Sequence, residues 1–314
     1  MSVPKGKTHK GNRRPIHSFL FTIVRHGVTD ANLRDIIQGH KDVPLNSEGF
    51  GQAVRLGKCL AGVHFTHWYS SDLQRAFQTC TAVLKENKHR VLLSSVMKDD
   101  ILRERNFGEL EGKTWEEVKN LAAARKEDIT KFTRERIESV PAMKQRASTF
   151  INGVLQMMNK HLNQMHGSHK PSRDGPLPPE LHVIVFSHGG MIREMVSHIQ
   201  DDLHCTNIPH IGKMGRGSCP NTGVTQFRFD LVANVPAPTI DGINCILFFD
   251  ISHLKEPELR PGTKRGSRDG RETTPESSAH PLVRHIASGG SPRSSQERES
   301  ARPNPIEETI EAIR

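Results

Sequence analysis

Two apolar runs in this 314-residue chain stop abruptly at a histidine followed by glycine. Phe21-Thr22-Ile23-Val24 ends in Arg25-His26-Gly27, and His182-Val183-Ile184-Val185-Phe186 ends in Ser187-His188-Gly189-Gly190. Open α/β sheets present chemistry in this way, at the carboxyl edge of their strands. The simplest physical reading brings both histidines to one site whose ligand is an anion. A histidine beside an arginine can bind an anion passively, or attack phosphorus and carry it as phosphohistidine. Attack requires a neutral imidazole whose other nitrogen is held by a hydrogen bond. A neighbouring cation favours that neutral form, so Arg25 suits both roles. Gly27 is expected to let the backbone approach a phosphate closely.

Two further segments add to this constellation. Tyr69-Ser70-Ser71-Asp72-Leu73-Gln74-Arg75-Ala76 puts Arg75 early in a helix that follows a strand. Leu102-Arg103-Glu104-Arg105-Asn106-Phe107-Gly108-Glu109-Leu110-Glu111-Gly112 sets carboxylates among cations in a turn. Two arginines and two histidines around a tetrahedral dianion, with one carboxylic acid to supply a proton, form a phosphotransfer site. Such a site calls for no metal and no cofactor.

Positioning these groups requires strands that alternate with helices. Periodicity predicts strands at Ser18–Val24, Thr66–Ser70 and Val91–Val96, with late strands near Val224–Phe229 and Cys245–Ile251. Helices are expected at Ser47–Leu60, capped by Asn46 or Ser47, and at Asp72–Glu86, where Leu73, Phe77, Cys80, Val83 and Leu84 recur at helical spacing. Thr114-Trp115-Glu116-Glu117 is a capping box whose helix reaches Ala124. Pro141 opens a long helix through His161 or a little beyond, and another helix covers Met191–Gln200. The pattern implies an α/β fold, a three-layer α/β/α sandwich around a mostly parallel sheet. Gly167–Pro179, rich in Pro, Ser and Gly, is expected to be a surface insertion.

Composition divides the chain into three parts. Residues 1–17 form a basic flexible segment with Lys5, Lys7, Lys10, Arg13 and Arg14 and no acid. Residues 18–254 hold the folded domain. Residues 255–314, dominated by Arg, Ser, Pro, Gly and Glu, have too little apolar surface to offset chain entropy and are expected to be disordered. Ile306–Ile313 is a faint amphipathic exception, read as a transient helix or a docking segment. The net charge of +9 invites a nucleic-acid partner, but aromatics make up only 5% and no stacking motif is present, so none is expected. The apolar run before Arg25 is too short for a signal peptide or a membrane span. Five scattered cysteines without a CxxC pair fit a reducing compartment, and the expected location is cytoplasmic.

These elements resemble the histidine phosphatase (phosphoglycerate mutase-like) superfamily and, within it, the TIGAR-type fructose-2,6-bisphosphatases. The resemblance rests on Val24-Arg25-His26-Gly27-Val28-Thr29 with Asn32, on Ile37-Gln38-Gly39, and on Pro44-Leu45 with Glu48-Gly49. It continues through Phe65-Thr66-His67, Ser70-Ser71-Asp72-Leu73, Leu102-Arg103-Glu104-Arg105, Ser187-His188-Gly189-Gly190 and Pro220-Asn221-Thr222-Gly223-Val224. It implies a phosphoglycerate mutase-like fold over residues 18–254. It also implies that His26 is the phosphorylated nucleophile and Glu104 the proton donor to the leaving group. Arg25, Arg75 and His188 would bind the transferred phosphoryl group, with Asn32, Gly39 and the Gly189 backbone as further contacts. Arg103 and Arg105 would work against a proton donor at Glu104, so their side chains are expected to point away.

The implied activity is hydrolysis of a small phosphorylated metabolite, with fructose 2,6-bisphosphate the first choice. A phosphoglycerate mutase or bisphosphoglycerate phosphatase is the alternative. Another, from a different class, is a protein phosphatase or interaction protein whose Ser-rich tail binds partners or receives phosphate. Members of the superfamily commonly carry Gly-Gly-Glu-Ser/Thr before the long helix. Here Thr133-Arg134-Glu135-Arg136-Ile137-Glu138-Ser139 lacks both glycines and keeps Glu138-Ser139. Arg134 and Arg136 are read as a solvated charge run rather than a second phosphate site. Glu109 and Glu111 are read as solvated or capping, His40, His64 and His67 as surface or packing residues, Ser187 as a strand-end hydrogen-bonder, and Met157-Met158 as core filler.

Overall fold

The computed structural model describes residues 15–167, 180–209 and 219–255. The basic segment through residue 14, residues 168–179 of the expected insertion, and the tail from residue 256 lie outside the described residues.

Residues 19–24 are buried without interruption, as a strand covered on both faces must be. They form the middle of β1 (Ile16–Arg25). Around it the sheet runs β3 (Val96–Lys98), β2 (His67–Ser70), β4 (Leu181–Ser187), β1, β5 (Val224–Val232), β6 (Ile240–Asp250). The first four strands are mutually parallel, and β5 pairs antiparallel with both β1 and β6. The expectation of a mostly parallel sheet holds.

Alternation along the strands divides the apolar residues between two faces. Phe19, Phe21 and Ile23 of β1 join Val183 and Val185 of β4 in one core cluster. The long helix α6 (Val140–Gly167) and α7 (Gly189–Ser197) close it, through residues such as Phe150, Val154, Ile192 and Met195. Met158 is fully buried there, which bears out its reading as core. Val24, Ile184 and Phe186 face the other way, onto α2 (Ser47–Cys59) and α3 (Gln74–Glu86). A third, smaller cluster of Ile37, Phe107, Leu110, Trp115 and Phe132 lies beneath α4 (Trp115–Ala124) and α5 (Ile129–Arg134). A helical turn at Asp30–Leu33, α1, is closed by a capping box from Thr29 and Asn32.

The structure departs from the sequence-based elements in several places. Strand β1 starts at Ile16, so Ile16 and His17 of the expected flexible segment pair with Val232 and Leu231, and β6 starts at Ile240, five residues before the predicted Cys245. The strand expected at Val91–Val96 is a 3-10 turn at Leu93–Ser95 followed by only three strand residues. Leu92 and Leu93 are 70% and 46% exposed, so their apolar character reflects no burial, and β3 pairs only where Trp68–Ser70 offers a partner. Helix α3 starts two residues later than predicted, because Leu73 keeps an extended backbone and Asp42 Oδ1 accepts from the Gln74 N–H at 2.6 Å. Helix α5 was not expected; Asp128 caps it by accepting from the Thr130 and Lys131 N–H groups. Among the described residues no helix is long and apolar enough to cross a membrane.

Candidate active site

Register explains why the two histidine turns meet. In the parallel pair β1–β4, Arg25 lies opposite Ser187, so the next residue on each strand is a histidine at the same level of the carboxyl edge. The His26 N–H donates to the Ser187 carbonyl at 3.0 Å. The two imidazole rings sit 5.2 Å apart, centroid to centroid, and both residues are buried.

His26 Nδ1 lies 2.7 Å from the carbonyl of Gly27. A carbonyl only accepts, so that nitrogen carries the proton and Nε2 keeps its lone pair when the ring is neutral. Burial first, then Arg75 and Arg25, push protonation of His26 well below the ordinary 6.5, against a smaller pull from the Gly27 carbonyl. The neutral ring and fixed tautomer that nucleophilic attack requires are both in place. His188 is held from the other side, with Nε2 2.9 Å from Ser71 Oγ. Burial, then Arg75 and His26, hold its protonation down as well.

Two guanidinium groups face these rings. Arg75 is fully buried on the first turn of α3; its Nη2 donates to Gly39 O at 2.8 Å and its Nη1 to Lys41 O at 3.0 Å. Burial pulls its pKa down to about 10, with Glu104 and Asp42 opposing and nearby Arg25 adding to the effect. Arg25 Nη1 donates to Cys219 O at 2.5 Å, and burial lowers its pKa also. Arg75 Nε and His188 Nδ1 are buried without a hydrogen-bond partner. Buried polar groups are nearly always paired, so these two atoms are open to a further partner.

Glu104 completes the group. Its Oε2 accepts from the Gly190 N–H at 3.0 Å, at the start of α7, and its Oε1 from the Arg105 N–H at 2.8 Å. A Cβ on Gly190 would lie 2.3 Å from Glu104 Oε1, so the carboxylate fits only because that residue is glycine. Arg103 turns away onto Asp72 through two hydrogen bonds of 2.8 and 2.5 Å, and Arg105 Nε donates to Glu138 O. Both basic side chains are therefore engaged elsewhere, as expected. Arg25, His26, Gly39, Arg75 and Glu104 line one cavity of about 120 Å³, walled by Ile37, Phe107 and Trp115.

Comparison with known proteins gives the family. The profile described as histidine phosphatase superfamily (branch 1) matches residues 21–231. The chain belongs to the histidine phosphatase superfamily. It is 35% identical over 229 residues to fructose-2,6-bisphosphatase TIGAR B of Danio rerio, covering 68% of this chain and 88% of the relative. It is 32% identical over 239 residues to fructose-2,6-bisphosphatase TIGAR of Mus musculus, with the same two coverages. Its fold is that of a phosphoglycerate mutase from Bacillus anthracis, with a TM-score of 0.52, 22% identity, and coverage of 76% of this chain and 95% of that one.

Within this histidine phosphatase fold, not every expected residue reaches the cavity. Asn32 lies outside the lining; its Oδ1 accepts from the Thr29 N–H and hydroxyl and caps α1. His188 and Gly189 lie outside the lining as well, His188 behind His26 and Gly189 directly after His188 as the first residue of α7. Gly27 serves another purpose than the one expected: a Cβ there would lie 2.5 Å from the Gly49 carbonyl, so its missing side chain admits α2 rather than a phosphate. Ser187 Oγ donates to Leu102 O, as read, whereas Glu111 Oε1 accepts from the His40 and Phe107 N–H groups and so braces two loops rather than lying in solvent. Arg136 is tied to Glu109, Glu127 and the Phe132 ring, while Arg134 is exposed. Sequence reasoning assigned no role to Ser71, Thr79 and Arg146. Thr79 Oγ1 accepts from the Gly27 N–H and donates to Arg75 O, linking the histidine turn to the arginine helix. Only tertiary register brings these residues to the site, so composition and spacing carried no signal for them.

Proposed function

We propose that this histidine phosphatase hydrolyses the phosphate monoester of a small metabolite through a phosphohistidine at His26, with fructose 2,6-bisphosphate as the preferred substrate. The observation that carries the mechanism is the His26 ring, with Nδ1 on the Gly27 carbonyl and Nε2 available 5.2 Å, ring to ring, from His188. In the first step His26 Nε2 forms a bond to phosphorus and the ester P–O bond breaks. Glu104 gives its proton to the departing oxygen. Arg25, Arg75 and His188 hold the equatorial oxygens, where charge builds during transfer. Arg75 Nε and His188 Nδ1, both without a hydrogen-bond partner, are the donors such an oxyanion would take up. In the second step water attacks phosphorus, passes a proton to Glu104, and the N–P bond breaks to release inorganic phosphate.

The substrate preference rests on the relatives named above, both fructose-2,6-bisphosphatases over most of their length. The short 3-10 turn Gly108–Leu110 leading to α4 favours hydrolysis over mutase chemistry, because no inserted segment shields the cavity between Glu104 and Trp115. Catalysis resides in residues 18–254, so hydrolysis survives removal of the residues beyond 255. All five cysteines are free, which suits a cytoplasmic enzyme.

A phosphate-release panel tests this reading. Fructose 2,6-bisphosphate, 2,3-bisphosphoglycerate, phosphoglycolate and a phosphotyrosine peptide are offered to the wild type and to His26→Ala. The expected result is release fastest from fructose 2,6-bisphosphate, with an acid-labile, base-stable phosphoenzyme trapped only in the wild type. Release by His26→Ala at the wild-type rate overturns the mechanism, and a faster substrate in the panel overturns the preference.

A further inference from the structure

Glu104 has a mount as specific as the site itself. Every carbonyl from residue 101 to residue 104 accepts a hydrogen bond from a side chain on another element. Arg146 of α6 supplies three of these: Nη1 to Ile101 O at 2.7 Å and to Arg103 O at 3.0 Å, and Nη2 to Glu104 O at 3.3 Å. Ser187 Oγ takes Leu102 O at 2.8 Å, and His40 Nε2 lies 2.9 Å from Glu104 O. The guanidinium that does most of this is itself fixed. Glu138 receives Arg146 Nε and Nη2 in a fork of two 2.7 Å bonds, the planar geometry that arginine offers and lysine does not.

Glu138 also holds the far side of the same loop. Its Oε2 accepts from the Asn106 N–H at 3.0 Å, its own N–H donates to Asn106 O at 2.7 Å, and its carbonyl accepts from Arg105 Nε at 2.8 Å. Burial works against ionisation of Glu138, but the bonds from Arg146 and Asn106 outweigh it and keep its carboxyl below the ordinary range. Neither Arg146 nor Glu138 lines the cavity that holds His26 and Glu104.

We propose that the Arg146–Glu138 pair is a positioning device for catalysis. It locks the 101–106 loop so that the Glu104 carboxyl meets the departing oxygen. The proposal rests on Glu104 being the proton donor. A side chain that must meet a reacting atom depends on its support, and a displacement of about 1 Å costs on the order of 10²-fold in rate. The pair also gives Glu138-Ser139 a purpose without the glycines that usually precede it in the superfamily: the carboxylate is there to hold an arginine.

Leaving-group chemistry separates this role from plain structural support. An alkyl phosphate expels a poor leaving group and needs the proton, whereas p-nitrophenyl phosphate expels a good one and does not. Wild type, Glu104→Gln, Arg146→Gln, Arg146→Lys, Glu138→Gln and the double variant Glu104→Gln/Arg146→Gln are compared on both, together with thermal melts. The expected result is a loss of about 10²-fold on the best alkyl phosphate for Arg146→Gln. The loss on p-nitrophenyl phosphate is several-fold at most, Arg146→Lys recovers little, and Arg146→Gln adds almost nothing in the Glu104→Gln background. Equal losses on both substrates, no loss, or full additivity in the double variant overturn the proposal. If Arg146→Gln does not fold, Glu138→Gln decides by the same criterion. If Glu104→Gln shows no leaving-group dependence, the proton-donor assignment itself fails; if it does and the clamp variants do not, only the clamp fails.

Discussion

The two histidine turns obey one sequence grammar and solve different physical problems. At the end of β1, His26 is steadied by its own chain, through the Gly27 carbonyl, and the glycine makes room for the Gly49 backbone. At the end of β4, His188 is steadied by Ser71 from beyond β2, and the second of its two glycines makes room for the Glu104 carboxylate. The first arrangement leaves a nitrogen lone pair facing the cavity. The second joins a histidine to a helix start and to an acid. A nucleophile must be held without losing its electron pair, whereas a group that stabilises charge can be held by any partner that fixes its direction. The same dipeptide, His-Gly, therefore has its role set by what packs behind it.

The largest expected effect tests that division of labour directly. His26→Ala loses about 10⁴-fold or more in kcat/KM and traps no phosphoenzyme, as removal of a nucleophile does. His188→Ala loses ~10²–10³-fold, typical of one charge-stabilising donor, and still traps phosphoenzyme at a slower rate. If His188→Ala abolishes the phosphoenzyme and His26→Ala does not, the two turns have been assigned the wrong way round.

The glycines sharpen the comparison next. Gly190→Ala pushes a flexible carboxylate, so kcat falls on the order of 10²-fold while the urea midpoint stays near that of the wild type. Gly27→Ala meets backbone instead, at 2.5 Å from Gly49 O, and destabilises by about 1–3 kcal/mol. Matching urea midpoints for the two variants would contradict the separate purposes given to these residues.

A smaller effect appears in the pH profile. Burial, Arg75 and Arg25 disfavour the charged form of His26, so its ring stays neutral as pH falls through 6.5. The acid limb of kcat/KM for wild type lies below that value. Arg75→Gln moves the limb up toward 6.5, because one of the opposing cations is gone. An acid limb that stays put in Arg75→Gln shows that it belongs to another group.

Stability carries the last and smallest signal. His182, further back on β4, bonds Thr22 Oγ1 at 2.7 Å and is held neutral, its pKa pushed down to about 3 by burial first and by His64 second. Its pKa in the unfolded chain is near 6.5, so below that the unfolded state binds a proton that the fold excludes. Stability is complete above 6.5 and falls as pH drops toward about 3, by at most ~1.4 kcal/mol per pH unit for this residue. Buried His26 and His188 act in the same direction. Urea midpoints from about pH 7 down to about pH 5 should fall, and His182→Gln should flatten the slope; an unchanged slope in that variant removes His182 from the account.

Much of this was legible in the chain. Strands β1 and β4 announce themselves because a strand covered on both faces reads as a continuous apolar run that ends where solvent or ligand begins. The α4 boundary is legible because Thr114 and Glu117 satisfy each other's backbone locally. The strand expected at Val91–Val96 failed because apolar type does not record exposure, and Leu92 lies open to solvent. Arg146 was invisible for a related reason: an arginine within a long helix looks solvated until the 101–104 carbonyls are seen against it.

The order of residues by itself determined the strands, the caps, and the presence of two histidines, two arginines and an acid with phosphoryl-transfer character. These depend on hydrophobic period and on hydrogen bonds between near neighbours, which are local. Tertiary structure alone decided how the two imidazole rings face each other, which glycine yields to which neighbour, and which side chains hold Glu104 in place. Those depend on strand register and on contacts between residues distant in the chain, such as Gly27 with Gly49, Arg146 with Ile101 and His182 with Thr22. No local pattern encodes them.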